Sequence, residues 1–283
     1  MAVRVLLIAG LGHSGSTVLG ALMGQLDGFF FTGELRSAAR AFKRRDPCGC
    51  GEPLPECPVW TRILANAFGE TDRVEGLRLD DASSRAFAIL RQRHVRPSPE
   101  AAAFEAVFRA AVETTGSRVV VDSSKWPGYA HFLQHLPGVD LSVLHLIRDP
   151  RGVAHSRRKY GARGGQVLGP TASAVQWDLW NPLVEMLWRR GSYARLRYED
   201  FVAEPEDAIR RIAGLVGETP RELPFDGHGS AELAPTHSVV GNRSRFQTGA
   251  VRIELDEEWR SHGEANRSVA ALTWPVRLRY GYS

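Results

Sequence analysis

In "GLGHSGST", residues 10–17, the spacing is that of a nucleotide phosphate loop, G-x-x-x-x-G-K-[ST], with Ser16 standing where the lysine belongs. A glycine-rich turn ahead of a helix leaves backbone N–H groups free and aimed at one spot, and the helix dipole adds positive potential there. Gly10, Gly12 and Gly15 permit close backbone approach, and Ser14, Ser16 and Thr17 add hydroxyls. The missing group is the one that reaches the β- and γ-phosphates of ATP. His13 can supply a donor instead, with a charge that depends on pH. Two other readings compete: a tight turn with no ligand, and a degenerate kinase. The kinase is favoured by "VVVD", because Asp122 ends its run as the magnesium-holding aspartate of an NTPase does.

A second anion site is written in "HLIRDPRGVAHSRRK". A buried strand ends at Arg148, then Asp149 as N-cap and Pro150 at the first position open a helix. Ser156 follows two turns on, so Arg148 and Ser156 can converge on one phosphate in the crevice above a sheet. Alternatively Arg148 is a structural ion pair with Asp149 or a neighbour. Together, the two stretches describe a nucleotide carrying phosphates at both ends.

Two more residues can do chemistry in that crevice. Glu34 in "FTGELRS" follows the strand-like run 29–32 directly after the loop helix, and is the candidate base; a helix N-terminal charge is its ordinary alternative. Lys125 in "VVVDSSKWPG" lies just past a strand end, where active sites of open sheets form. It is one of only three lysines, with Lys43 and Lys159, so a cation there stands out, although a plain surface lysine is the competing reading. Asp122, Ser123 and Ser124 are expected to shape its loop. His131, His135 and His145 are other candidate bases, His145 being placed inside a strand as a core residue.

The elements that must position these residues alternate. Near-continuous apolar runs at 3–9, 118–122, 141–147 and 193–198 read as strands of a parallel sheet buried on both faces. Helical periodicity covers the stretch after the loop and 83–96, 100–114, 128–136, 152–159, 171–189 and 205–216, with Pro182 expected to bend the long one. The fold class is therefore α/β, a three-layer phosphate-loop fold with a central parallel sheet flanked by helices. One domain over 1–283 is expected, with a Cys/Pro-rich lid or insertion at 44–73 and a C-terminal basic loop and helices over 236–283. Charged and amphipathic helices are expected near 256–262 and 265–273. Trp177, Trp180 and Trp188 read as core.

Composition narrows the partners. The formal net charge is +4, with 43% hydrophobic and 24% charged residues. That suits an anionic small molecule and lacks the long basic, aromatic-interleaved run of a nucleic-acid binder. No stretch approaches the ~20 apolar residues of a bilayer span, so a cytoplasmic chain is expected. Cys48, Cys50 and Cys57 form C-x-C-x6-C, an odd number that argues against a disulfide framework and is one ligand short of a structural zinc site. A histidine or aspartate from elsewhere could complete it.

"GHSGST" with "LIRDPRGVAHSRRK" resembles the sulfotransferase family, which uses 3′-phosphoadenosine 5′-phosphosulfate (PAPS). The resemblance extends to "RYEDFVAEPEDAIRRIAGLVG" and to the C-terminal "HSVVGNRSRF" and "RLRYGY". It implies that Gly12, His13, Ser14, Gly15, Ser16 and Thr17 bind the 5′-phosphosulfate, and Arg148 and Ser156 the 3′-phosphate. Arg243 and Arg245 would fold over the 3′-phosphate. Many family members carry Arg or Lys where this chain has His13, which joins Glu34 and Lys125 as a catalytic candidate. The Gly33–Glu34 step resembles the one that carries the base in tyrosylprotein, carbohydrate and bacterial members, and Lys125 would contact the bridging oxygen or sulfonate. The implied activity is sulfonate transfer to the hydroxyl of a small-molecule acceptor, a sugar, lipid or natural product, with no metal required. Residues 60–115 match no family segment and are expected to carry acceptor specificity. A magnesium-dependent small-molecule kinase and a non-catalytic nucleotide sensor are the alternatives.

Overall fold

In a computed structural model, the structure describes residues 2–69, 74, 77, 98–162, 168–227, 229–261 and 263–283. The helical expectation at 83–96 lies outside them. Apolar runs too short to be helices become parallel strands: β1 (Val3–Gly10), β2 (Phe29–Gly33), β3 (Val119–Lys125), β4 (Val139–Ile147) and β5 (Tyr193–Arg197). They form one sheet in the order β2-β3-β1-β4-β5, all neighbours parallel. β1 is central and its two neighbours come later in the chain. Its carboxyl end is thus the switch point where open α/β sheets bind ligands.

Alternation along β1 builds three layers. Val5, Leu7 and Ala9 face one apolar core, shared with α2 (Ala38–Lys43), α3 (Pro58–Phe68), α4 (Pro99–Thr115) and α5 (Pro127–Leu133). Leu6 and Ile8 face the other, against α1 (Ser16–Met23), with α8 (Tyr198–Ala203) and α9 (Pro205–Leu215) packed beyond. α6 (Pro150–Ala162) and α7 (Pro170–Trp188) follow β4, and α7 carries Pro182 within it.

Several expectations change. β3 runs on through "SSK" to Lys125, because pairing with β1 resumes after a bulge, Ala9 opposite Lys125. The lysine is therefore the strand's last residue. Within the stretch 44–73, expected as a Cys/Pro-rich lid or insertion, α3 buries Trp60, Ile63 and Leu64 in the main core together with Cys48 and Cys57. The chain beyond α9 also holds an antiparallel pair, β6 (Ser230–Leu233) and β7 (Gly249–Arg252), for which the sequence showed no strand pattern. The expected charged helix at 256–262 is a short 3-10 turn, Glu258–Ser261, before α10 (Gly263–Leu272) and α11 (Trp274–Arg279).

Gly10 turns β1 into the loop at φ 132°, and an added Cβ would sit 2.3 Å from the Leu146 carbonyl oxygen. Gly10→Ala combines backbone strain with a backbone clash, so it should cost at least about 1–3 kcal/mol. Urea unfolding should show it as a lowered midpoint with an unchanged slope.

Candidate active site

The glycine-rich loop has the geometry its sequence requires. Gly15 takes φ 89° to start α1, and the Tyr198 ring lies where its Cβ would be, 2.5 Å from that position. Above Gly12 an added Cβ would meet nothing within 4 Å. The loop therefore borders a cavity of about 730 Å³ lined also by Glu34, Lys125, Trp126, Arg148, Ser156, Arg157 and Trp180. Gly12, His13, Gly15, Ser16 and Thr17 line it; Ser14 does not, and its hydroxyl is buried without a partner among the described residues.

Glu34 and Lys125 meet at the edge of this cavity, as Lys125 Nζ donates to Glu34 Oε1 at 2.6 Å. Each is held by its backbone. Gly33 at φ 77° packs under the Val240 carbonyl, and Glu34 N–H donates to that same carbonyl at 3.1 Å. Lys125 lies at φ 66°, and its ammonium also donates to Ser123 O at 2.8 Å. Glu34 Oε2 has no hydrogen-bond partner among the described residues.

The second cradle adjoins the first. Arg148 is 5% exposed. It donates to His13 O at 3.2 Å and Asp256 O at 3.0 Å, pairs with Asp256 Oδ2 at 3.2 Å, and lies over the Tyr198 ring at 4.7 Å. Its carbonyl accepts from Trp177 Nε1 at 2.9 Å, which fixes the strand end. Asp149 caps α6 through Arg151 N–H at 2.8 Å, so the partner of Arg148 is Asp256 and not Asp149. His13 Nδ1 lies 3.1 Å from Ser156 Oγ, joining the two cradles.

His13 sits at φ 72°. Burial, then the Arg157, Lys125 and Arg148 cations, push its pKa down to about 4, so it is neutral near pH 7. Arg157, 7% exposed, donates to Ser173 Oγ at 3.2 Å and has no carboxylate partner among the described residues; burial pushes its pKa down to about 10. A desolvated guanidinium lining a cavity without a counter-ion is a strong anion-binding feature. The sequence signal for Arg157 was its place immediately after Ser156. Tyr198 and Asp256 gave no such signal, since both reach the cavity from distant elements.

Some candidates are placed elsewhere. Asp122 is fully buried: its Oδ1 accepts from Ser124 N–H at 2.7 Å and Oγ–H at 2.6 Å, and its Oδ2 from Tyr129 O–H at 2.7 Å. Burial raises its pKa to about 6. It does not line the cavity, so the feature that favoured a kinase is a structural carboxylate tying β3 to α5. Arg243 is exposed and Arg245 is buried, donating to Gly241 O at 3.3 Å and Pro47 O at 2.9 Å; neither lines the cavity. Their loop contributes Val240, Gly241, Asn242 and Ser244 instead, and Asn242 N–H donates to Thr17 Oγ1 at 3.2 Å. Trp177 and Trp188 are buried as expected, whereas Trp180 lines the cavity and packs edge-on against Trp126 at 5.3 Å. His145, buried in β4 between Tyr193 OH and Asn181 Oδ1, is a core residue.

A model of the sulfotransferase family matches residues 6–220, a span that contains the loop, Glu34, Lys125, Arg148 and Ser156. The chain belongs to the sulfotransferase family. It is 29% identical over 124 residues to human carbohydrate sulfotransferase 2, covering 29% of this chain and 23% of that protein. It is 26% identical over 162 residues to human carbohydrate sulfotransferase 1, covering 51% and 35%. The matches thus span about a quarter to a third of these relatives' length. The fold is similar to the sulfotransferase domain from the curacin biosynthetic pathway, with TM-score 0.51, 15% identity and coverage of 100% and 98%. Among the described residues no helix is long and apolar enough to cross a membrane.

The neutral state of His13 has a measurable consequence for the stability of this chain. Between pH 6.5 and about 4 the unfolded chain binds a proton that folded His13 refuses. The stability this group contributes is complete above pH 6.5 and lost as pH falls to about 4. His13→Asn, a residue that tolerates left-handed backbone, should lose less stability than wild type over that range in thermal melts. Parallel acid limbs would show that folded His13 protonates freely.

Proposed function

We propose that this chain transfers a sulfonate from PAPS to a hydroxyl acceptor, with Glu34 as the base. The observation that supports it most is the convergence, in one cavity, of the Glu34–Lys125 pair, the loop amides and the Arg148–Ser156–Arg157 cluster. The open space above Gly12 and the Arg157 guanidinium, without a carboxylate partner among the described residues, suit a phosphorylated ligand. Loop residues Gly12–Thr17, without the Ser14 hydroxyl, hold the 5′ group, and Arg148, Ser156 and Arg157 the 3′-phosphate. When bound, PAPS supplies an activated sulfuryl group with adenosine bisphosphate as leaving group.

The residues of the chain then divide the work. Glu34 Oε2 takes the acceptor's hydroxyl proton as oxygen forms its bond to sulfur and the sulfur–phosphate oxygen bond breaks. Lys125 stabilises charge on the transferred and leaving oxygens, where a preorganised cation is most effective. Neutral His13 orients within the loop through Ser156. Trp126 and Trp180, packed edge-on at 5.3 Å, and Tyr160, against the His13 ring, line the same cavity. Such faces suit a sugar ring, and the similar human proteins are named carbohydrate sulfotransferases. A carbohydrate hydroxyl is therefore the acceptor class to test first.

Adenosine 3′,5′-bisphosphate should raise the melting temperature without magnesium, and Arg157→Ala should weaken that shift. Glu34→Gln should keep the shift but lower kcat for sulfonate transfer by roughly 10²–10⁴. Stabilisation by ATP with magnesium, and none by the bisphosphate, would sink the assignment.

A further inference from the structure

The three cysteines that sequence spacing left one ligand short acquire a fourth partner from the far end of the chain. Cys48 and Cys50 sit on the turn before α3, Cys57 precedes its first residue, and His237 lies 180 positions later. The sulfurs of Cys48, Cys50 and Cys57 and a ring nitrogen of His237 all lie within 4.8 Å of one another. Cys50 Sγ and Cys57 Sγ are 3.8 Å apart, and Cys57 Sγ and His237 Nδ1 3.4 Å. Ligands on tetrahedral zinc, with Zn–S about 2.3 Å and Zn–N about 2.0–2.1 Å, stand roughly 3.5–3.8 Å apart. We propose that Cys48, Cys50, Cys57 and His237 Nδ1 form a structural zinc site.

The surroundings are built for thiolates. Backbone N–H groups of Cys50 donate to Cys48 sulfur, and those of Val59 and Trp60, in the first turn of α3, to Cys57 sulfur. Gly51 takes φ 96° to close the turn, with its N–H donating to Cys48 O at 2.8 Å. The histidine is aimed by its backbone: Trp60 Nε1 donates to His237 O at 2.6 Å, and Gly49 N–H to Ser238 O at 3.0 Å. Gly49 itself fits only without a side chain, since a Cβ would lie 2.6 Å from Thr236 Oγ1. Zinc with three thiolates and one imidazole carries one net negative charge. Arg245 stands beside it, bonded to Pro47 O and without a carboxylate partner among the described residues. This gives Arg245 a role that the substrate cavity does not.

A disulfide is the competing use of these cysteines, but all three are free, and one bridge would leave a third thiol and the imidazole unexplained. The ion's role would be to fasten the strip 236–242. Along that strip Val239 N–H donates to Thr32 O at 2.8 Å, the Val240 carbonyl receives Glu34 N–H at 3.1 Å, and Asn242 N–H reaches Thr17 at 3.2 Å. The metal thus acts as a positioning device for the Glu34 backbone and takes no part in transfer.

The test begins on unmodified protein, expressed with zinc in the medium and purified without a metal-affinity tag. Elemental analysis should find about one zinc per chain. Cobalt(II) exchanged into chelator-stripped protein should give the visible bands of a tetrahedral thiolate site. Cys50→Ser and His237→Gln should each weaken zinc binding at least about tenfold, measured by competition with a chromophoric chelator. If a variant is insoluble, the stoichiometry and cobalt spectrum of the wild type decide alone. Negligible zinc with no cobalt bands, iron in place of zinc, or an intact mass short of two hydrogens from a disulfide would each overturn the proposal. Metal content is read on resting protein, so its failure is separate from failure of the sulfonate-transfer reading.

Discussion

The structure depends on one constraint: a parallel sheet must turn every strand at its carboxyl edge, and here the turns after β1, β2 and β3 take left-handed backbone around one cavity. Gly10, His13 and Gly15 on the loop, Gly33 before Glu34 and Lys125 at the end of β3 all have positive φ. For histidine and lysine this conformation is uncommon and strained. It persists because neighbours hold it: pairing of Ala9 with Lys125, the Val240 carbonyl over Gly33, and the Tyr198 ring on Gly15. Strain of this kind concentrates where side chains must be aimed. The Lys125–Glu34 pair results, linking the ends of β2 and β3.

Charge is distributed in the cavity with equal care. Arg148, Arg157 and Lys125 are all under 10% exposed, which is costly unless each cation is compensated. Lys125 has Glu34, and Arg148 has Asp256, two carbonyls and an aromatic face. Among the described residues Arg157 has only a hydroxyl. The desolvated Arg157 cation and the neutral, half-buried His13 line the same cavity, beside the Lys125–Glu34 and Arg148–Asp256 ion pairs. Asp122 supports the wall from behind as a buried acceptor of three hydrogen bonds.

The C-terminal segment completes what the sheet begins. The strip from Thr236 to Asn242 crosses β2, braces Glu34 and rests on Thr17. The tail works on the other side: Tyr282 O–H donates to Ile147 O at 3.1 Å and Glu199 Oε2 at 2.7 Å, and Glu199 Oε1 accepts Asp149 N–H at 3.1 Å. These bonds fix the exit of β4, from which Arg148 projects. Both flanks of the cavity are therefore set by chain far from the phosphate loop.

What could be read from the residues alone was whatever rests on local periodicity and local motifs. The apolar runs declare parallel strands, "GLGHSGST" declares a loop between strand and helix, and "RDPRGVAHS" declares a capped helix with Arg148 and Ser156 two turns apart. Glu34 and Lys125 followed from their place after strands. Long-range contacts were not legible, because no spacing rule links positions a hundred or more residues apart. Only folding shows that Asp122 turns away from the cavity, that Arg243 and Arg245 stay out of it, and that Arg157, Tyr198 and Asp256 enter it. Only folding brings His237 to the cysteines. Side-chain direction at the carboxyl edge is decided by what packs against it, and that is a property of the tertiary structure.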